Sequence, residues 1–165
     1  MQEIPGKSTV QSNRSRWRSA WIASLGLITF AGVVWAAEIL PGPIPAVVTE
    51  VVDGDTIGVR ARIWLGQDVE IRVRILDIDT PEIRGDCETE RSLAIAARDR
   101  VVALALGQQI QMWETGYGKY AGRITARVTL ANGLDLGAEL IHAGLARPYD
   151  GGARQSWCEK PVDGA

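Results

Sequence analysis

The sequence predicts an α+β protein that is mainly β, built as a small five-stranded closed barrel capped by helices. Five short segments are predicted strands, and two of them, 57–63 and 69–75, alternate apolar and polar residues with a period of two, which is typical of strands with one buried face. A segment of helical period follows the third strand, and a shorter one follows the fifth. An uncharged stretch near the N-terminus predicts one transmembrane or signal helix ahead of the barrel.

The chain of 165 residues begins with a basic segment, 1–19, which has four basic residues and one acidic residue. Residues 20–37, AWIASLGLITFAGVVWAA, contain no charge and have tryptophan near both ends. This pattern predicts a membrane-inserting helix whose basic flank lies in the cytoplasm. Two interpretations stay open: a cleaved signal, which Val34-Trp35-Ala36 fits in part, and an uncleaved transmembrane anchor, which we favour because of the interfacial tryptophans.

Residues 38–46, EILPGPIPA, are a predicted linker, because three prolines oppose a helix and stiffen the chain. Three strands follow at 47–52, 57–63 and 69–75, with apolar residues at every second position of the last two. The short connections DG and LGQD between them are turn sequences. These features predict an antiparallel meander.

A change to helical period predicts a helix over 88–106, which Gly107 ends. Two further strands are predicted near 108–114 and 122–130, and an NG turn leads to a short helix at 136–143.

This order of five strands and two helices favours a barrel of the OB-fold type over a sandwich, which normally has more strands. The predicted domain spans 47–160, and a short tail of residues 161–165 follows it.

The two cysteines, Cys87 and Cys158, fit a domain outside the cytoplasm, where a disulfide bond persists. Closing a loop of roughly 70 residues stabilises a fold by about 4 kcal/mol in the chain-entropy model. The alternative is two unpaired thiols, since the sequence does not give their separation.

Charge argues against a strongly basic polyanion-binding protein. Outside residues 1–19 the chain has 14 of its 18 basic residues and 19 of its 20 acidic ones, a net charge of −5. Any nucleic-acid role must therefore depend on local arginines and not on the overall field.

Two acidic clusters follow strand ends, one in VVDGDTI at 51–57 and one in RILDIDTPE at 74–82. Carboxylate oxygens are hard ligands that suit Ca²⁺ or Mg²⁺. An EF-hand loop starting at Asp53 is excluded, because its twelfth position is Trp64. An aspartic protease is disfavoured, because Ile57 and Pro81 stand where a glycine is needed after Asp-Thr. Acidic turns that merely cap strands remain the alternative.

Two arginines favour a functional site over acidic turns that merely cap strands. Arg74 lies five residues before Asp79, and Arg123 opens a later strand. A guanidinium group forms bidentate hydrogen bonds to the oxygens of a phosphodiester. A protein that only binds calcium does not require such arginines. Metal, carboxylates and arginines together favour hydrolysis at phosphorus.

The segments VVDGDTIGV, IRVRILDIDTPE, KYAGR and LIHAGLARPY, in this order, resemble the staphylococcal nuclease-like (thermonuclease) family over about residues 47–150. The resemblance implies an OB-fold barrel and a Ca²⁺-dependent nuclease that leaves 3′-phosphate ends. It also implies roles for individual residues. The metal ligands are Asp55, Asp79 and Thr80, the last through its backbone carbonyl; the catalytic residues are Glu82, as general base, Arg74 and Arg123; the residues bordering the nucleotide are Lys119, Tyr120 and Tyr149.

Asp53 is expected to shape its turn, Asp77 to support the metal ligands from behind or to be structural, and His142 to pack or lie on the surface. We expect a monomer that acts on DNA or RNA outside the cytoplasm of a bacterial cell. It is anchored in the inner membrane with its domain in the periplasm, or secreted if the signal is cleaved. The alternative function is a non-catalytic OB-fold module that binds nucleic acid or another anionic polymer.

Overall fold

The computed structural model describes residues 38–119 and 122–158. The predicted membrane segment at 20–37, the basic segment before it, Tyr120 and the tail at 161–165 lie outside these ranges. Within the described residues no helix is long and apolar enough to cross a membrane. The strands are β1 (Ile39–Leu40), β2 (Ile44–Val51), β3 (Thr56–Trp64), β4 (Gln67–Ile75), β5 (Ile78–Asp79), β6 (Gln109–Tyr117), β7 (Arg123–Leu130) and β8 (Arg147–Pro148). The helices are α1 (Glu88–Ala105) and α2 (Leu136–His142).

Five strands close into a barrel, as the sequence predicts. The order around it is β6-β2-β3-β4-β7, and β7 pairs again with β6 to complete the circle. All these pairs are antiparallel except β4 with β7, which is parallel. That parallel pair requires a long crossover, which passes through α1 and β6. The result is the OB-fold arrangement, mainly β with two helices.

The barrel interior is filled by the inward-facing residues of the alternating strands, such as Val59, Val73 and Val128. The two helices cap it with Val101 and Leu140, which are fully buried. Every member of this core lies between residues 46 and 146. The barrel therefore has a complete hydrophobic core of its own, so we expect residues 38–165 to fold without the N-terminal segment.

The segment predicted as a linker differs from expectation, because much of it belongs to the sheet. Residues 39–40 form β1 and pair with β6, and β2 begins at Ile44, before the predicted domain boundary at 47. Pro45 lies opposite Gln111 in β6. The prolines exclude a helix, but they do not exclude an extended strand, which explains the difference.

The strand β6 also extends further than predicted, to Tyr117 instead of 114. Its pairing with β7 shifts between Trp113 and Gly116, and Glu114 has a positive φ of 52°. This bulge interrupts the period-two pattern, so the sequence conceals the continuation of the strand.

The predicted disulfide bond is present. Cys87, at the N-terminal end of α1, is bonded to Cys158 across a sequence separation of 71 residues. It fixes the segment that follows β8, residues 149–158, against the start of the helix. We call residues 149–158 the C-terminal segment.

Candidate active site

The first acidic cluster forms a tight turn between β2 and β3. The Asp53 carboxylate accepts a hydrogen bond from the Asp55 amide at 3.0 Å, so Asp53 shapes the turn as predicted. The amides of Val52 and Asp53 both donate to the Thr56 carbonyl. This turn directs Asp55 inward, where only 2% of its surface is exposed.

Gly54 allows this turn to approach the rest of the site. A Cβ atom on residue 54 would lie 2.8 Å from Cβ of Ala97 in α1 and 3.0 Å from Cβ of Thr80. Both atoms are close to the backbone and have little freedom to move. A glycine is therefore required for the turn, the helix and the Thr80 loop to meet.

Three groups donate hydrogen bonds to the Asp55 carboxylate. These are the Thr56 hydroxyl at 2.9 Å, the Thr80 hydroxyl at 3.1 Å and Nη1 of Arg74 at 2.6 Å. Burial has the largest effect on the pKa of Asp55 and raises it from 3.8 to about 6. The positive charge of Arg74 opposes this shift but does not outweigh it.

The second acidic cluster lies where β5 pairs with β8. Asp79 is 4% exposed, and the indole Nε1 of Trp157 donates to its Oδ2 at 3.2 Å. Nε of Arg154 lies 2.9 Å from Oδ1 of Asp79, an ion pair without hydrogen-bond geometry, so Oδ1 is buried with no hydrogen bond from the described residues. Asp77 has a positive φ of 61° and pairs with Arg127, which fits a structural role.

Glu82 follows this cluster after buried Pro81 and remains half exposed. Its backbone amide faces the Glu90 carboxylate at 3.4 Å, and its own carboxylate pairs with Nη1 of Arg154. The guanidinium of Arg154 thus lies between two of the predicted site carboxylates, Glu82 and Asp79. The pKa of Arg154 is raised, first through its hydrogen bond to Glu82.

The two predicted arginines lie on neighbouring strands. Thr56 of β3 pairs with Arg74 of β4, which brings Arg74 next to Asp55. Arg72 pairs with Arg123 of β7 in the parallel ladder, and Arg74 pairs with Thr125. Since residues two apart in a strand share a face, Arg74 and Arg123 project from the same side of the barrel.

A cleft of about 700 Å³ unites these side chains. Arg74, Glu82 and Arg123 line it, together with Lys119 and Tyr149, which were predicted to border the nucleotide. The Tyr149 hydroxyl donates to the Gly152 carbonyl at 2.8 Å. Buried Asp55 and Asp79 lie beside the cleft through their contacts with Arg74 and Arg154. The structure therefore brings together all the predicted catalytic, metal and substrate residues that it describes.

The family model for the staphylococcal nuclease homologue matches residues 72–160, more than half of the chain. This chain belongs to the staphylococcal nuclease homologue family. No curated protein matches it. The match begins after Asp55, but the pairing of Thr56 with Arg74 joins the DGDT turn to the matched part.

In this staphylococcal nuclease homologue the oxygen atoms of Asp55, Asp79 and Thr80 are of the kind that binds a hard divalent cation. Asp55 and Asp79 are both buried, the Thr80 hydroxyl next to Asp79 in the chain donates to Asp55, and the buried Oδ1 of Asp79 accepts no hydrogen bond from the described residues. Oxygen donors of this kind suit Ca²⁺. Cys87, Glu90 and Cys158 also lie together, but both sulfur atoms are used in the disulfide bond and offer no thiolate.

Sequence reasoning missed Arg154 and Trp157. Both lie in the C-terminal segment, about 75 residues from the carboxylates that they contact. The guanidinium of Arg147 also stacks on the Trp157 ring at 3.7 Å and donates to the Ser156 carbonyl. The feature of the sequence that could have revealed them is Cys158. A bond from Cys158 to Cys87, five residues after Glu82, brings the residues before Cys158 close to Glu82 and Asp79.

Proposed function

We propose that this protein is a Ca²⁺-dependent nuclease that hydrolyses phosphodiester bonds of DNA, RNA or both. The observation that carries the proposal is one cleft lined by Arg74, Arg123 and Glu82, beside which two buried aspartates contact cleft-lining arginines, Asp55 through Arg74 and Asp79 through Arg154. The guanidinium groups of Arg74 and Arg123 and the exposed carboxylate of Glu82 are the groups that hydrolysis at phosphorus requires. Membership of the staphylococcal nuclease homologue family supports the same reaction.

The residues have distinct roles in this proposal. Asp55, Asp79 and the Thr80 carbonyl would hold Ca²⁺, which would supply the positive charge of a Lewis acid for a phosphodiester. Arg74 and Arg123 bind the non-bridging oxygens and stabilise the charge that grows on them during the reaction.

Glu82 orients a water molecule and accepts its proton as the water oxygen attacks phosphorus. The bond from phosphorus to the 5′ oxygen breaks, and the leaving oxygen takes up a proton from solvent. Lys119 and Tyr149 line the part of the cleft where a nucleotide would lie, and a tyrosine ring suits base stacking.

Cleavage of single-stranded DNA by residues 38–165 tests the proposal. We expect cleavage with Ca²⁺ at low salt and none with EDTA, and Arg123→Ala should slow it by at least 100-fold because a transition-state charge contact is lost. Arg98→Ala is the matched control, since Arg98 pairs with Asp99 on the exposed side of α1. Tight polymer binding without Ca²⁺-dependent cleavage would refute the nuclease and favour the non-catalytic binding module.

Arg154 should compete with Ca²⁺, because it contributes a positive charge 2.9 Å from an Asp79 oxygen. We expect Arg154→Gln to bind Ca²⁺ about tenfold more tightly, which is about 1.4 kcal/mol. Isothermal calorimetry without nucleic acid measures this, with Arg98→Gln as control. An unchanged or weaker affinity would show that Arg154 supports the site and does not compete for it.

Asp55 should make the metal-free domain pH dependent. Its folded pKa, about 6, exceeds the ordinary 3.8, so between these values the folded state holds a proton that the unfolded state has lost. Stability must then fall as pH rises from about 4 to about 6 and level off above that. We expect this slope in urea unfolding with EDTA, as the difference between wild type and Asp55→Asn. Calcium stabilisation should grow over the same interval; equal curves for the two proteins would contradict the assignment.

We also propose that the domain works outside the cytoplasm, attached through residues 20–37 or released if that segment is cleaved. The Cys87–Cys158 disulfide supports this location, because such bonds persist in oxidising compartments. N-terminal sequencing of the mature protein distinguishes the two forms.

A further inference from the structure

An exposed apolar surface lies on the barrel, separate from the carboxylates. It consists of the tip of the β3–β4 hairpin and the rim of a shallow groove of about 250 Å³ between that hairpin, β1 and the end of β6. We call it the apolar corner; its exposed members are Leu40, Ile63, Trp64, Leu65, Val69 and Tyr117. Trp64 is 70% exposed and Leu65 is 88% exposed.

Single exposed apolar residues are ordinary, but here Ile63 lines the groove and is followed directly by exposed Trp64 and Leu65, and a group of this size marks an interaction surface. The chemistry of the surroundings indicates which kind of partner fits. Glu38 is the one charged residue among the described residues that line the groove. Beside it, Arg62 pairs with Asp68 and Arg60 with Glu70, so these arginines are already compensated. The apolar corner can therefore bind a partner through apolar contacts, but among its described residues it has no basic patch that would attract an anionic one.

The position of the corner along the chain points to a lipid partner. Glu38 lines the groove, and in the chain it directly follows the uncharged segment 20–37. If residues 20–37 cross a bilayer, as proposed above, the chain leaves it next to Glu38 and keeps this surface near the bilayer. Tryptophan and tyrosine, present here as Trp64 and Tyr117, are the side chains enriched at membrane interfaces. We propose that the apolar corner rests in the interfacial layer of a lipid bilayer.

This contact leaves the catalytic end of the hairpin free. Thr56 pairs with Arg74 at the cleft end of the β3–β4 hairpin, and Trp64 pairs with Gln67 at its tip. Eight residue steps of β3, from Thr56 to Trp64, separate the two ends, roughly 25 Å at the usual rise per residue. The hairpin tip thus enters the interface while the cleft that Arg74 lines stays in water, accessible to a polymer. The inference does not depend on nuclease activity.

The test uses sedimentation of residues 38–165 with phosphatidylcholine vesicles. We expect binding that falls at least tenfold when Ile63, Trp64 and Leu65 are all changed to serine. The matched control is the double change Ile95→Ser and Val102→Ser, which removes exposed apolar residues from α1 and should leave binding unchanged. Adding anionic lipid should not strengthen binding, since the surface has no uncompensated basic group among its described residues.

A second measurement uses the full chain in vesicles of brominated phosphatidylcholine. The emission of Trp64, taken as the difference between wild type and Trp64→Phe, should be quenched by the bromine atoms and protected from acrylamide. Free quenching of Trp64 by acrylamide would overturn the proposal. Two other results would do the same: equal vesicle binding by wild type and the hairpin variant, or a wild-type dimer that the hairpin variant dissociates, since a second copy would then be the occupant.

Discussion

Changing Glu82 to Gln should lower kcat for DNA cleavage by roughly 100- to 10,000-fold. The amide keeps the size of the side chain and its place in the cleft, but it cannot accept a proton from water. A loss of this range corresponds to about 3–5 kcal/mol of transition-state stabilisation. We expect KM for DNA and the affinity for Ca²⁺ to change much less, because Arg74, Arg123, Asp55 and Asp79 remain in place.

Steady-state cleavage assays on Glu82→Gln and Glu70→Gln would measure the effect. Glu70 is an exposed carboxylate toward the tip of the hairpin, where it pairs with Arg60, so its variant should cleave like wild type. Glu82 also pairs with Arg154, and Arg154→Gln separates the two effects. If Glu82→Gln keeps wild-type kcat, Glu82 is not the general base, and another group must take the proton.

Removing the disulfide should be the largest single loss of stability. Changing Cys87 and Cys158 to serine opens a loop of 71 residues in the unfolded chain, which costs about 4 kcal/mol in the chain-entropy model. A small barrel has a total stability of roughly 5–15 kcal/mol, so much of it would be lost. The loss should also release the C-terminal segment, including the contacts of Arg154 with Glu82 and Asp79.

Urea unfolding of the double variant would measure this loss, and reduced wild type should reproduce it. Tryptophan fluorescence gives a second readout, because release of the C-terminal segment moves Trp157 away from Asp79 and Arg147. An unchanged urea midpoint in both the double variant and reduced wild type would mean that contacts within the fold hold the C-terminal segment without the bond.

Local patterns were sufficient for most of the fold. Short apolar or alternating segments located the five barrel strands, and the helical period located α1 to within one residue of its end. The prediction was less accurate where backbone geometry departs from a regular period, as at the Glu114 bulge. It was also less accurate at 38–46, where strand pairing with β6 outweighs the proline content.

The acidic clusters and the two arginines were visible in the sequence because DGDT and RILDIDTPE are short motifs at strand ends. Their positions next to one another in the fold do not follow from local sequence. It depends on the register that places Thr56 opposite Arg74, on the parallel pairing of β4 with β7, and on the close approach that Gly54 allows. The sequence predicted which residues have the chemistry; the ladder pairing decides which of them are neighbours.

The sequence by itself thus determined the class of fold, the pair of cysteines and the side chains that lie around the cleft, since each is encoded in a short stretch of chain. Only the tertiary structure decided that Arg154 and Trp157 close over Asp79 and Glu82, and that apolar residues of β1, β6 and the hairpin form one exposed corner. The physical reason is the same in both cases. Contacts between residues tens of positions apart are selected by barrel closure and by the disulfide bond, and no local period in the chain records them.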